Sequence, residues 1–236
     1  MQLLTRTLFA ALLIVLGAFT VPASAETIAI IGTGNVGGAL GPRFSELGHD
    51  IIYGSRQPMR ADVQDLVGRT HGNATAMLPT EAVAAADLVV MATKWADAEV
   101  ALKSLGDLSG KIILDPNNAV RVGADGIRHL GVETSTAQMI QGWAPNAMVV
   151  KAFNTLAAGT MANPSSAGGP VTIPIAGDDV DAKVFIAGLV TGIGFEVVDM
   201  GDISAAHVIE HMLIARGNAR GPGAPYNYYL RPVPQN

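Results

Sequence analysis

Six residues, Gly32-Thr33-Gly34-Asn35-Val36-Gly37, follow the spacing G-x-G-x-x-G, in which backbone rather than side chains does the chemistry. Gly32 permits a tight turn, Gly34 lets the main chain approach a pyrophosphate, and Gly37 lets a following helix pack closely on the preceding strand. Free N–H groups and a partial positive charge at that helix start then face the anion. The pattern is specific only between a strand and a helix, and both are legible. Glu26-Thr27-Ile28-Ala29-Ile30-Ile31 is a β-branched run, and Asn35 to Leu47 carries apolar residues at helical spacing up to Gly48. The alternative is a Gly-rich turn of purely structural value.

The end of the next strand decides which dinucleotide fits. Ile51-Ile52-Tyr53 is followed by Gly54-Ser55-Arg56, with Arg60 one turn later, where an NAD site carries an acid for the ribose hydroxyls. Asp50 lies at the other end of the strand. A hydroxyl and two guanidinium groups suit a 2′-phosphate through charge-assisted hydrogen bonds, so the expected cofactor is NADP(H). The alternative is that Arg56 and Arg60 are solvated surface charges. Thr93-Lys94-Trp95, Asp115-Pro116-Asn117-Asn118 and Phe153-Asn154-Thr155 end later strands, at the edge where ligands of such sheets sit. For each of them, turn or capping duty competes with ligand contact. His207-Val208-Ile209-Glu210-His211 has the H-x-x-E-H spacing of inverted zinc peptidases, but no Asp, Glu, His or Cys follows to complete a zinc site. A helix with two semi-buried imidazoles is the better account, and no metal site is assigned.

Strands at 26–31, 51–53, 87–92, 111–115 and 147–152 alternate with helices near 35–47, 60–68, 81–86 and 96–105. Such alternation implies parallel strands joined by right-handed crossovers, and fully apolar strands imply a sheet covered on both faces. The expected fold is therefore α/β, a doubly wound, mostly parallel sheet of the Rossmann type. A small α/β extension follows, with strands at 171–176 and 195–199, helices at 180–191 and 204–215, and a loop-like tail from Gly217. The Ser/Gly/Pro stretch over 163–170 divides a binding domain at 26–162 from an extension at 163–236. Whether that extension lengthens the sheet or forms a lobe of its own stays open. No basic run or Lys/Arg–aromatic interleaving supports nucleic acid as a partner, and the absence of cysteine removes disulfides and thiolate chemistry. Arg6, the apolar stretch from Leu8 to Val21 and Ala23-Ser24-Ala25 read as an export signal over residues 1–25. The stretch is short of the ~20 residues that a spanning helix needs, so a cleaved, periplasmic chain is expected ahead of a membrane-tethered one.

Taken in order, the Gly-rich opening, Tyr53-Gly54-Ser55-Arg56, Val149-Val150-Lys151-Ala152-Phe153-Asn154-Thr155, Ala176-Gly177-Asp178-Asp179 and Gly194-Phe195-Glu196-Val197-Val198-Asp199 resemble the coenzyme F420-dependent NADP oxidoreductase family. Relatives of that family include the N-terminal reductase domain of membrane metalloreductases. The resemblance implies phosphate contacts at Thr33 to Val36 and 2′-phosphate contacts at Ser55, Arg56 and Arg60. It places Thr93 and Ala152 near the nicotinamide. It further implies hydride exchange between NADP(H) and a deazaflavin (F420), flavin or metal–flavin acceptor, which needs no side-chain acid or base, so no catalytic residue is named. His207 and His211 stand where relatives more often show Arg and Pro, and the tail with Tyr226, Tyr228 and Tyr229 differs from the family's ending. A homodimer is compatible with the sequence. The competing functions are an exported, non-catalytic NADP-binding module, with Trp95, Trp143 or the tail filling the acceptor pocket, and a reductase of the pyrroline-carboxylate type.

Overall fold

The computed structural model describes residues 25–220 and 228–233. The expected export signal, Ala25 apart, and Tyr226 of the tail lie outside the described residues. No described helix is long and apolar enough to cross a membrane.

Thr27–Ile31 (β1) is buried from Ile28 onward, and alternate side chains serve opposite layers. Ile28 and Ile30 join Leu40 and Phe44 of Asn35–Ser45 (α1), while Ala29 and Ile31 join the cluster on the other face. The chain continues through Asp50–Gly54 (β2), Ala61–Arg69 (α2), Ala74–Met77 (β3), Pro79–Ala84 (α3), Leu88–Met91 (β4), Trp95–Lys103 (α4) and Ile112–Asp115 (β5). Val120–Val122 (β6) and Arg128–Leu130 (β7) form a separate antiparallel hairpin. Then come Thr136–Trp143 (α5), Met148–Lys151 (β8), Ala158–Ala162 (α6), Thr172–Gly177 (β9), Val180–Gly192 (α7), Glu196–Asp199 (β10) and Ala206–Arg220 (α8).

The main sheet has eight strands in the order β10-β9-β8-β5-β4-β1-β2-β3. Every neighbouring pair is parallel except β8 and β9, which meet antiparallel at Val150–Gly177 and Lys151–Ala176. One face is packed by α1, α2, α6 and α7, the other by α3, α4, α5 and α8. This is the doubly wound α/β fold. The stretch at 163–170 is a short 3-10 turn and a connection across which the sheet continues, so the C-terminal extension lengthens the sheet instead of standing apart.

Five features differ from the sequence reading, the short helix α6 among them. β3 is a short strand beyond β2 that the apolar runs do not announce. The β6–β7 hairpin is small and its first strand fully exposed, so it carries no periodic signal. α5 has weak helix formers at Thr136 and Gly142, and is held by its Ser135 cap on the Gln138 N–H and by burial of Ala137 and Ile140. α8 runs past Gly217, where a loop is expected. The hairpin supports its last turn: Arg128 N–H donates to Asn218 Oδ1 (2.7 Å), Asn218 Nδ2 to the Arg128 carbonyl (2.9 Å), and Arg128 Nη1 to the Gly217 carbonyl (2.7 Å).

His49, just before β2, gives the fold a pH dependence. Burial holds its pKa below the ordinary 6.5, although the backbone at Glu26 and the charge of Asp50 act in the opposite direction. Its Nδ1 lies 3.2 Å from the Glu26 N–H. A lowered pKa means that the folded chain binds fewer protons than the unfolded one, so stability falls as pH drops through the unfolded value. The urea midpoint is expected to fall between about pH 7.5 and about pH 5.5, and to fall less in His49→Gln. An equal decline in both chains would remove His49 as the cause.

Candidate functional site

The strand order reverses at β1: the chain first moves outward to β2 and β3, then returns on the other side at β4. In such sheets the ligand crevice lies outside the carboxyl ends of the strands flanking the reversal. The loops after β1 and β4 meet there. A Cβ on Gly32, whose φ is +113°, would lie 2.4 Å from the Ala92 carbonyl oxygen and 3.0 Å from the Thr93 nitrogen. A Cβ on Gly37 would lie 2.0 Å from the Gly32 carbonyl oxygen and 2.9 Å from Ile30 Cγ2. Gly34, between them, faces open space, with nothing within 4 Å of a built Cβ. Two glycines are thus fixed by packing, and the third opens onto empty space. Gly34 is also the N-cap of α1, which has no side-chain cap and no acid in its first turn, so its opening N–H groups are available to an anion. Thr33 and Val36 are half-buried and Asn35 is exposed at this start.

At the end of β2, Ser55 is buried, and its hydroxyl accepts the Gln57 N–H at 3.2 Å. Arg56 is exposed and has no ion-pair partner among the described residues. Arg60, the N-cap of α2, is engaged: its guanidinium grips the Asp62 carboxylate through Nε and, at 3.0 Å, through Nη2. That hydrogen bond, reinforced by the opposite charges, raises the Arg60 pKa and lowers that of Asp62. Of the two guanidinium groups, Arg60 is therefore held by a carboxylate and Arg56 is not.

Past β4, the Thr93 hydroxyl oxygen is buried without a hydrogen-bond partner. An orphaned polar atom beside the Gly-rich turn costs stability unless a ligand or water satisfies it. Ala152 differs: it is fully buried in the core, and its N–H donates to the Asp115 carbonyl at 3.2 Å, so its methyl lines the interior and not the crevice surface. Trp95, the first residue of α4, stacks on Trp143 at the end of α5, with ring centroids 5.5 Å apart and planes 20° apart. Tyr229 of the tail reaches Thr160, Oη to Oγ1 3.3 Å, and the Leu230 carbonyl accepts the Thr172 N–H at 2.8 Å.

Beneath this edge lies a polar cluster that the sequence does not announce. Lys151, wholly buried, points Nζ at Asp115 Oδ2 (2.9 Å), Glu210 Oε1 (2.8 Å), Thr136 Oγ1 (2.6 Å) and the Asn117 carbonyl (2.6 Å). The Thr136 N–H donates to Glu210 Oε1 at 2.7 Å, so α5, α8, β5 and β8 are tied at one point. Asn117 mainly serves its own turn, its N–H and Nδ2 donating to Asp115 Oδ1 and its Nδ2 also to the Met91 carbonyl. The readable signal was a lysine at the end of an apolar strand: such a charge demands an acid, and Glu210 is the distant one. Next to it Phe153 has φ +65°, a left-handed conformation costing about 1–3 kcal/mol outside glycine. Burial and edge contacts with Phe44 (6.2 Å) and Phe195 (6.3 Å) hold it, and the turn sets Asn154 Nδ2 on Asn118 Oδ1 at 3.0 Å. Glu210 therefore faces inward while His207, half-buried, and His211, exposed, face outward, which separates the members of the H-x-x-E-H pattern. Among the described residues no group of three or more His, Cys, Asp or Glu is placed to hold a metal.

Comparison with known proteins gives the same frame. Residues 27–119 match the family described as NADP oxidoreductase, coenzyme F420-dependent. The chain is 28% identical over 198 residues to the F420-dependent NADP reductase of Methanothermobacter thermautotrophicus, covering 78% of this chain and 84% of that one. It is 29% identical over 192 residues to the metalloreductase STEAP3 of Rattus norvegicus, covering 80% of this chain but only 37% of the longer protein. The crystal structure of a candidate F420-dependent NADP reductase from Arthrobacter sp. FB24 superposes with a TM-score of 0.78 at 29% identity, over 88% of this chain and 100% of that one.

Proposed function

We propose that the chain, whose residues 27–119 match the family described as NADP oxidoreductase, coenzyme F420-dependent, is a member of that family, binds NADP(H) in the crevice between β1 and β4 and exchanges hydride with a flavin-type acceptor. The acceptor class is a deazaflavin such as F420, a flavin or a metal–flavin complex. The observation that carries the reading is the asymmetry of the Gly-rich turn, in which Gly32 and Gly37 are locked by contacts and Gly34 opens onto empty space. The uncapped start of α1 would take the pyrophosphate, with Thr33, Asn35 and Val36 beside it. Ser55, Arg56 and Arg60 would take the 2′-phosphate, and the orphaned Thr93 hydroxyl supplies an unused hydrogen-bonding group near the reacting ring. When bound, NADPH would supply a hydride, that is two electrons with one proton, and the second proton of the reduced acceptor would come from solvent. The protein fixes distance and face and keeps water out, so no side-chain acid or base is required.

The test is titration of the purified chain with NADPH and with NADH, followed by reduction of FMN, FAD, F420 and a ferric chelate. Arg56→Ala is expected to weaken NADPH binding roughly 10- to 100-fold and NADH binding little, since one charge-assisted contact to the 2′-phosphate is lost. Arg60→Ala is expected to cost less, because Arg60 gives up Asp62 on binding. Binding without turnover on any acceptor would leave a nucleotide-binding module. Equal losses for both nucleotides would overturn the assignment of Arg56. We carry residues 1–25 forward as an export signal on the same footing, to be tested by N-terminal sequencing of the chain recovered from the periplasm.

A further inference from the structure

His207 and His211 lie one turn apart on α8, with ring centroids 4.5 Å from each other. Both rings are anchored through Nδ1. His207 Nδ1 meets the Thr134 carbonyl oxygen, and His211 Nδ1 lies 2.8 Å from the His207 carbonyl oxygen. A carbonyl oxygen only accepts, so each Nδ1 carries a proton and Nε2 is the nitrogen left to offer a lone pair. Metal-bound imidazoles are held in this way, with one N–H on a backbone oxygen and the other nitrogen left for the ion. The ring separation, with planes 60° apart, leaves room for a shared ion. Where both Nε2 atoms turn to one ion ~2.0–2.1 Å away, that ion stands about 3.2 Å from each centroid, and centroids 4.5 Å apart subtend roughly 90° at it, the angle between neighbouring ligands in square-planar or octahedral coordination.

We propose that His207 and His211 form a two-point site for a first-row divalent transition metal of the nickel, copper or zinc class. Imidazole nitrogen suits these ions, and copper binds most tightly in the divalent series. Glu210 lies on the same helix but is wholly buried and engaged with Lys151, so it is not a third ligand, and among the described residues no group of three or more His, Cys, Asp or Glu is placed to hold a metal. The remaining positions therefore go to water or to a small chelating molecule carried by the ion. The site is separate from the Gly-rich turn, so it stands or falls independently of nucleotide binding.

The experiment is titration of the full chain, without an affinity tag, with Cu²⁺, followed by calorimetry and pulsed EPR of the loaded protein. The expected result is one tight Cu²⁺ per chain, with nitrogen couplings from two imidazoles. His211→Gln is expected to weaken uptake about 100-fold, because the second imidazole binds intramolecularly. His207→Ala is expected to do the same, and His129→Ala to change nothing. His211 touches only its own helix through Nδ1, so its variant keeps the fold, checked by an unchanged thermal transition. Coupling from a single imidazole, absence of stoichiometric uptake, or uptake indifferent to both substitutions would each overturn the proposal.

Discussion

The Lys151→Met chain is expected to lose about 3–5 kcal/mol of folding stability, the cost of breaking a buried ion pair by removing one partner. The lysine stands between Asp115 and Glu210, with all three side chains out of water. Without it two carboxylates face one another around the Thr136 hydroxyl, and the Asn117 carbonyl keeps only the long contact (3.4 Å) from that hydroxyl. Urea unfolding followed by circular dichroism reads the loss as a lower midpoint at an unchanged slope. Adding Glu210→Gln to Lys151→Met should recover part of it, because one charge is removed while an amide oxygen remains for the Thr136 N–H. A loss below about 1 kcal/mol in the single variant would mean that the cluster is hydrated and loose rather than closed.

The second large effect separates two glycines three residues apart. Gly37→Ala places a methyl 2.0 Å from a backbone oxygen at the helix–strand contact, so the helix must move, at a cost of about 3 kcal/mol. Gly34→Ala meets nothing, and its stability is expected to stay within about 1 kcal/mol of the parent. Its NADPH affinity is expected to fall on the order of 100-fold, because the methyl occupies the space through which the pyrophosphate reaches the helix start. Thermal unfolding with and without nucleotide distinguishes the two: Gly37→Ala has a low midpoint that ligand raises, whereas Gly34→Ala has a normal midpoint that ligand scarcely moves. A normal affinity in Gly34→Ala would place the nucleotide elsewhere.

These glycines also show what the sequence could reveal. The roles of Gly32 and Gly37 are local, set by residues adjacent along the chain or in the neighbouring strand, and a spacing rule captures them. Strands β1, β2, β4, β5 and β8 are legible for a similar reason, since burial on both faces demands continuous apolar runs. β3 and the β6–β7 hairpin are short or exposed and leave no run to read. α5 is a helix through its Ser135 cap and its packing, not through propensity. The Lys151 cluster joins positions far apart along the chain, and no spacing rule says that the inward residue of His207-Val208-Ile209-Glu210-His211 is the glutamate. The state of Arg60 was equally hidden: its position suits a phosphate, yet it is already held by a carboxylate two residues on.

The stacked pair Trp95–Trp143 comprises both tryptophans of the chain, and Trp95 begins the helix that follows Thr93 and Lys94. All indole emission therefore comes from one spot, where the start of α4 meets the end of α5, and the near-parallel rings are close enough to couple. The absorption of reduced nicotinamide overlaps indole emission while that of the oxidised ring does not, so the protein's own light is suited to distinguish the two redox states of its nucleotide without a label. A ligand that reaches the stack itself would instead alter the near-ultraviolet ellipticity, a second optical readout distinct from the first.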